Sequence, residues 1–432
     1  MAAHVVIIGA GIIGAMSAIH ALDAGFKVTI LEPGQPGDNH AASYGNAGWL
    51  SSHSVLPPAS PGTWKQVPKW LLDPLGPLAV RLSYLPRATP WLVRYLGAAW
   101  TERQIRQTAK SLRNLLADAP LLHKDVALRA HVGHLIEQRG LLHAFLDREH
   151  FEQDRIAWDI RYEQGIRWQE LDSATMGTLE PDLDPKYTFG LLVPETGSCL
   201  NPGAYLAALV KYAQSRGATI VSTKAVGFDT SKQTGRLLGV YTEIGRIDCD
   251  KAVIAVGSRA KALAKIAGDE VPIETERGYH AVIPTACCGP RVPTMFADCK
   301  VIVNSMNAGL RVAGQVEIAA NDDTPNWRRA EILRDHLLSL YPGLTDSLDA
   351  KQIQVWMGRR PSTPDGIPCI GLASGSPDIV HAYGHGHIGL VSSARTGRLV
   401  GQLLAETSPE IDLTPFSPQR FRKAFRQSHI VK

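Results

Sequence analysis

An α/β fold built on two sheets, one parallel and one mixed or antiparallel, is predicted by three features of the 432-residue sequence. The N-terminal stretch reads strand, glycine turn, helix, strand. A helix at 201–217 leads into a strand at 219–221, and 251–256 is a further strand, continuously apolar after Lys251, as a buried parallel sheet requires. Residues 272–284 and 309–314 alternate more between apolar and polar side chains, the pattern of an antiparallel sheet in a second domain.

The elements follow in order. His4–Ile8 is β-branched and long enough for one buried parallel strand. Gly9, Ala10, Gly11, Ile12, Ile13 and Gly14 come next, then a small-residue helix over 15–24, ended by Gly25, and a strand over 26–31 closed by Glu32. This is a Rossmann-like βαβ dinucleotide fingerprint. Gly9 permits the tight turn, and Gly11 lets a pyrophosphate approach backbone N–H groups at a helix N-terminus. Gly14 lets helix and strand pack closely. Glu32, 18 residues beyond Gly14, offers a carboxylate to a ribose. The fingerprint alone does not separate NAD from FAD.

Residues 55–90 hold eight of the 28 prolines and predict short, kinked helices on the surface of the first domain. A helix is predicted over 101–116, with Arg103, Arg106, Lys110 and Arg113 in one basic stripe. The stripe reads as a solvated face or as a surface touching anionic lipid or an acidic electron acceptor. Asn201 and Pro202 open the 201–217 helix as N-cap and N1 residues. A hairpin is expected from 226–228 and 237–242, and a helix over 327–341 stops at Pro342 and Gly343. A second glycine turn at 384–389 feeds a last helix over 390–404.

Composition narrows the function classes. Lys and Arg number 45 against 41 Asp and Glu, a net charge of +4 that is too small at this length to argue nucleic-acid binding. Six cysteines without a Cys-x-x-Cys pair suit reduced thiols, and no cleavable signal or long apolar span is read, so a cytoplasmic protein is expected. Contact with the inner face of the membrane is a further expectation. His385 and His387 lie two apart in the second glycine turn with no third ligand fixed by spacing, so no metal is expected.

Widely separated segments match one family. They are residues 6–14 with Glu32, Ser43 to Gly48, 197–205, 252–257, Arg277-Gly278-Tyr279, Leu310 to Gly314 with Glu317, Arg360-Pro361-Ser362-Thr363-Pro364-Asp365, and Gly384 to Gly389. The chain resembles the FAD-dependent D-amino-acid oxidase superfamily, and within it the bacterial D-amino-acid dehydrogenases. The resemblance implies an FAD domain drawn from 1–60, 195–265 and 350–432, interleaved with a substrate domain from 61–194 and 266–349 whose mixed sheet covers the flavin. It implies that Ser43, Asn46, Ala47 and Gly48 run along the isoalloxazine ring, that Val226 meets the adenine end and that Ala255 to Gly257 pass near the pyrophosphate. The turn Gly384, His385, Gly386, His387 and Gly389 then aims a helix N-terminus at the flavin, where negative charge collects on reduction. Some relatives tether the flavin through a cysteine shortly before Thr-Pro-Asp. Residues 355–365 contain none, so non-covalent FAD is expected.

The same resemblance gives Arg360 the substrate carboxylate, a role that suits a planar guanidinium. Arg359, where relatives carry an apolar residue, competes for it. Tyr279 is expected to help hold the carboxylate, with His53 and Tyr44 as contacts in the loop over the flavin. The implied reaction is oxidation of a D-amino acid, including cyclic ones such as D-proline or hydroxy-D-proline, to an imino acid by hydride transfer from Cα to flavin N5. Electrons would pass to a quinone or a respiratory carrier. The alternatives are a sarcosine- or glycine-type amine oxidase using oxygen, and a non-catalytic flavoprotein subunit.

Overall fold

The computed structural model describes residues 2–59, 76, 78–347 and 353–422. A six-stranded sheet carries the first core. Its order is Thr219–Val221, Lys27–Leu31, His4–Ile8, Lys251–Ile254, Ile379–Tyr383, Cys369–Leu372, parallel except for the last strand. His4–Ile8 lies inside it. Val5 and Ile7 join the apolar cluster on one face, while Val6 and Ile8 join the cluster on the other. This is why the run is continuously apolar, each buried Val or Ile contributing about 1.5–3 kcal/mol.

The larger sheet is mixed. Along its path lie Gln354–Ser362, Glu274–Ile283, Gly309–Ile318, Val301–Met306, Thr294–Phe296, Leu141–Phe145, Phe189–Val193 and Gln169–Leu171. Its central strands are antiparallel, while Thr294–Phe296 runs parallel to Leu141–Phe145. One face packs on the helix Arg328–Leu340 through Tyr279, Ala281, Val312, Leu333 and Leu337. The other face is turned to the parallel sheet. Gln354–Ser362 pairs with Glu274–Ile283, and a bridge from Ser362 to His385 ties this edge to the second glycine turn.

Two expectations change. Residues 60–75 and 77 of the proline-rich stretch lie outside the described residues. Its remainder includes a strand, Leu78–Val80, added parallel to Gly309–Ile318, followed by the helix Leu85–Ala98 with Pro90 inside it. The helix Glu102–Leu116 forms as expected, with a capping box between Thr101 and Gln104. Its basic stripe is not one solvated face. Arg106 pairs with Glu102 and Glu163, and Arg113 with Glu195, so only Arg103 and Lys110 stand exposed along it. Among the described residues no helix is long and apolar enough to cross a membrane.

Candidate active site

One cavity of about 1280 Å³ lies between the C-terminal ends of the parallel strands and the facing side of the larger sheet. Small-molecule pockets run to about 300–1,000 Å³, so this one exceeds a single small ligand. At a parallel sheet this is where dinucleotides bind.

The cofactor half is built by the first βαβ unit. Gly9 has φ +102°, and a Cβ there would stand 2.7 Å from the Ala255 carbonyl oxygen. A Cβ on Gly14 would stand 1.9 Å from the Gly9 oxygen, so strand and helix meet here only through glycine. Gly11 is open: only the Ser43 Oγ comes within 4 Å of a Cβ placed there, at 3.9 Å. The Ser43 hydroxyl accepts from the Ile12 N–H at 3.2 Å. The helix Ile12–Asp23 has no acid in its first turn, so its positive end faces the cavity unneutralised. Glu32 ends the second strand with Oε2 on the Ala10 N–H (2.8 Å) and Oε1 on the Gly34 N–H (3.1 Å), leaving lone pairs for a ribose. Glu32→Ala is expected to lower the fraction of purified protein carrying flavin, read as the ratio of visible to protein absorbance. Full retention would remove the carboxylate from the binding site.

The other expected cofactor residues divide. Ile13, Asn46, Ala47, Val226, Ala255, Gly257, His385, Gly386, His387 and Gly389 line the cavity. Gly48 and Gly384 do not; their backbones make close approaches to Cys199 and Thr363 that a Cβ would block. The Ser43–Gly48 loop is held from below by Arg311 on the Asn46 oxygen (2.6 Å), Asn304 on the Ala47 oxygen (2.9 Å) and His280 on the Gly45 oxygen (3.0 Å). The helix Gly389–Leu404 also lacks an acid in its first turn, and Gly389 lines the cavity. His385 bonds Thr396 at 3.1 Å, and burial pushes its pKa down to about 3, so it is neutral. The glycine cradle, the two free helix N-termini and the Glu32 carboxylate fit FAD. No cysteine is among the lining residues. Among the described residues no three His, Cys, Asp or Glu side chains converge as a metal site.

The second half presents a cation. In register on the cavity face of the larger sheet stand Arg360 opposite Glu276, Gly358 opposite Gly278 and Trp356 opposite His280. The Arg360 guanidinium lies over Gly278, where a Cβ would fall 2.4 Å from its Nη2. Among the described residues it has no hydrogen-bond partner and no carboxylate within 4.0 Å. Burial pulls its pKa down, with the Glu276 charge opposing. Arg359 also borders the cavity, but its guanidinium donates to the Asn321 oxygen at 2.8 Å.

Two expected contacts are redirected. Tyr279 borders the cavity, but its hydroxyl donates to Glu317 (2.7 Å) and accepts from the Asn326 N–H (3.0 Å), so its one donor is spent away from Arg360. Tyr44 is not a lining residue; its ring packs on Trp356 and against Gly203. His53 does line the cavity, with its Nε2 2.7 Å from the Nε2 of His143. Burial holds both imidazoles well below the ordinary range, so one neutral ring donates to the other. Sequence reasoning missed His143 and Glu276. Strand alternation from Gly278 would have put Glu276 on the same face; nothing local marks His143.

The fold and this cavity define a dinucleotide-dependent enzyme whose second subsite presents an arginine side chain. Residues 4–403 match the model of a family described as FAD dependent oxidoreductase, and the chain belongs to that family. Its cofactor is FAD and its chemistry is oxidation–reduction. A D-amino-acid oxidase of Bradyrhizobium diazoefficiens is 56% identical over 418 residues, covering 97% of this chain and 99% of that one. A D-amino acid dehydrogenase of Rhizobium johnstonii is 30% identical over 429 residues, covering 96% and 99%. The crystal structure of glycine oxidase from Geobacillus kaustophilus superimposes with a TM-score of 0.73 at 21% identity, over 97% of this chain and 99% of that one, a likeness of fold.

Proposed function

We propose that the protein oxidises D-amino acids to imino acids, the substrate carboxylate lying on Arg360. The observation that carries this reading is the Arg360 guanidinium, half-buried at the cavity wall with no bonded partner among the described residues. A partly desolvated guanidinium without a partner suits a bidentate anion. FAD, when bound, supplies the two-electron acceptor for the hydride from Cα. The chain's own part is to fix the substrate by its carboxylate and to keep the cavity face rigid through the Glu274–Ile283 and Gln354–Ser362 pairing. D-selectivity is supported by the names of the two relatives, one at 56% identity. Non-covalent attachment is supported by a cavity lining without cysteine.

The acceptor reading is a quinone or a respiratory carrier. A second reading, oxygen, is favoured by the name oxidase on the 56% relative. Contact with a membrane has support from the exposed Leu82, Val93 and Trp100 around the helix Leu85–Ala98, and less from the basic stripe. The test reduces the flavin anaerobically with D-amino acids, D-proline analogues, sarcosine and glycine, then mixes the reduced protein with air or with a quinone analogue. Reduction by D-amino acids and faster reoxidation by quinone is the expected result. Reduction by sarcosine or glycine alone overturns the substrate class, and fast reoxidation by air gives the acceptor to oxygen.

A further inference from the structure

The Arg360 cation has a neighbour that carboxylate recognition does not use. Glu276 lies directly across the strand pair on the same face, borders the cavity, and is only 7% exposed. A buried carboxylate normally sits against a cation. Here no nitrogen of a basic side chain among the described residues comes within 4.0 Å of it, Arg360 included, because that guanidinium leans along the strand over Gly278. The wall therefore offers a negative and a positive group side by side but separated, neither in an ion pair among the described residues. A zwitterion carries a complement to each of the two charges; a simple carboxylate or a simple amine complements only one of them.

We propose, building on the substrate reading above, that Glu276 receives the substrate's α-ammonium group and accepts one of its protons. Arg360 and Glu276 then hold the two charged ends of one amino acid. The proton passes from the ammonium nitrogen to a Glu276 oxygen, leaving a neutral amine and a neutral carboxyl, and no electrons move in that step. The neutral amine keeps the lone pair that must form the imine as hydride leaves Cα. Glu276 is suited to the transfer. Burial pushes its pKa up, against the charge of Arg360 and the hydroxyl of Ser362, so it holds a proton more readily than an exposed glutamate. The other groups near it are Tyr95, itself pushed up by burial, and Arg360.

The test compares two ligands on the FAD-loaded protein: the D-amino acid that reduces wild type fastest, and the carboxylic acid of the same skeleton lacking the amine. Affinity for the first comes from the concentration dependence of flavin reduction, and for the second from its perturbation of the flavin spectrum. Glu276→Gln is expected to weaken the amino acid about 10–100-fold while the simple acid binds equally well or more tightly, since a repelling charge is gone. Weakening confined to the amino acid is the signature. Equal weakening of both ligands would make Glu276 a structural counter-ion and overturn the proposal, as would an unchanged amino-acid affinity. If Glu276→Gln does not retain FAD, Glu276→Asp replaces it: its shorter reach should slow reduction at least about tenfold with the simple acid unaffected, and parallel losses again overturn the proposal. A wild type that binds the simple acid but is reduced by no D-amino acid would instead refute the substrate reading.

Discussion

Arg360→Leu is expected to raise KM for a D-amino acid about 10- to 150-fold while leaving FAD content unchanged. A hydrogen bond to a charged group is worth about 1.5–3 kcal/mol, and the clamp acts in ground state and transition state alike. Arg359→Leu is the matched control. Its guanidinium is committed to the Asn321 backbone oxygen, so KM should stay close to wild type. Steady-state kinetics on the two variants decides between them. Unchanged KM in Arg360→Leu would move the clamp to Arg359 or Arg311.

Gly14→Ala is expected to yield a destabilised protein without flavin. The new methyl would fall 1.9 Å from the Gly9 oxygen and 2.9 Å from its carbonyl carbon, both backbone atoms that cannot swing aside. Overpacking costs about 1–3 kcal/mol, paid here by displacing the helix Ile12–Asp23 from the first strand. Gly11→Ala separates cofactor binding from folding. Beyond its chain neighbours, no atom of the described residues lies closer than 3.9 Å to its new methyl, which projects where a pyrophosphate would approach the backbone. Thermal melts and flavin absorbance should therefore show Gly14→Ala losing both stability and FAD, and Gly11→Ala losing FAD alone. A Gly11→Ala protein with full flavin would place the pyrophosphate elsewhere.

The sequence was most informative where the physics is local. The strands His4–Ile8 and Thr219–Val221 have the bounds expected, and Asn201 caps its helix by accepting from the Ala204 N–H. The glycine turn and Glu32 face the cavity because the βαβ unit dictates it. Direction within the larger sheet was less legible. Its register turns Tyr279 toward Glu317 and Arg360 toward the cavity, and one step along the strand reverses each. The strand Gln354–Ser362 carries two arginines and a proline, as suits a sheet edge, and sequence periodicity does not reveal it. His143 meets His53 across 90 residues of chain, a contact set by the packing of Leu141–Phe145 and by no local signal.

The most direct test of the central claim is anaerobic mixing of the purified protein with the two enantiomers of one amino acid while flavin absorbance is followed. Bleaching by the D-enantiomer alone is expected, with one 2-oxo acid and one ammonia formed per flavin reduced after the imino acid hydrolyses. Bleaching by the L-enantiomer, or by neither enantiomer across a panel of amino acids, would contradict it.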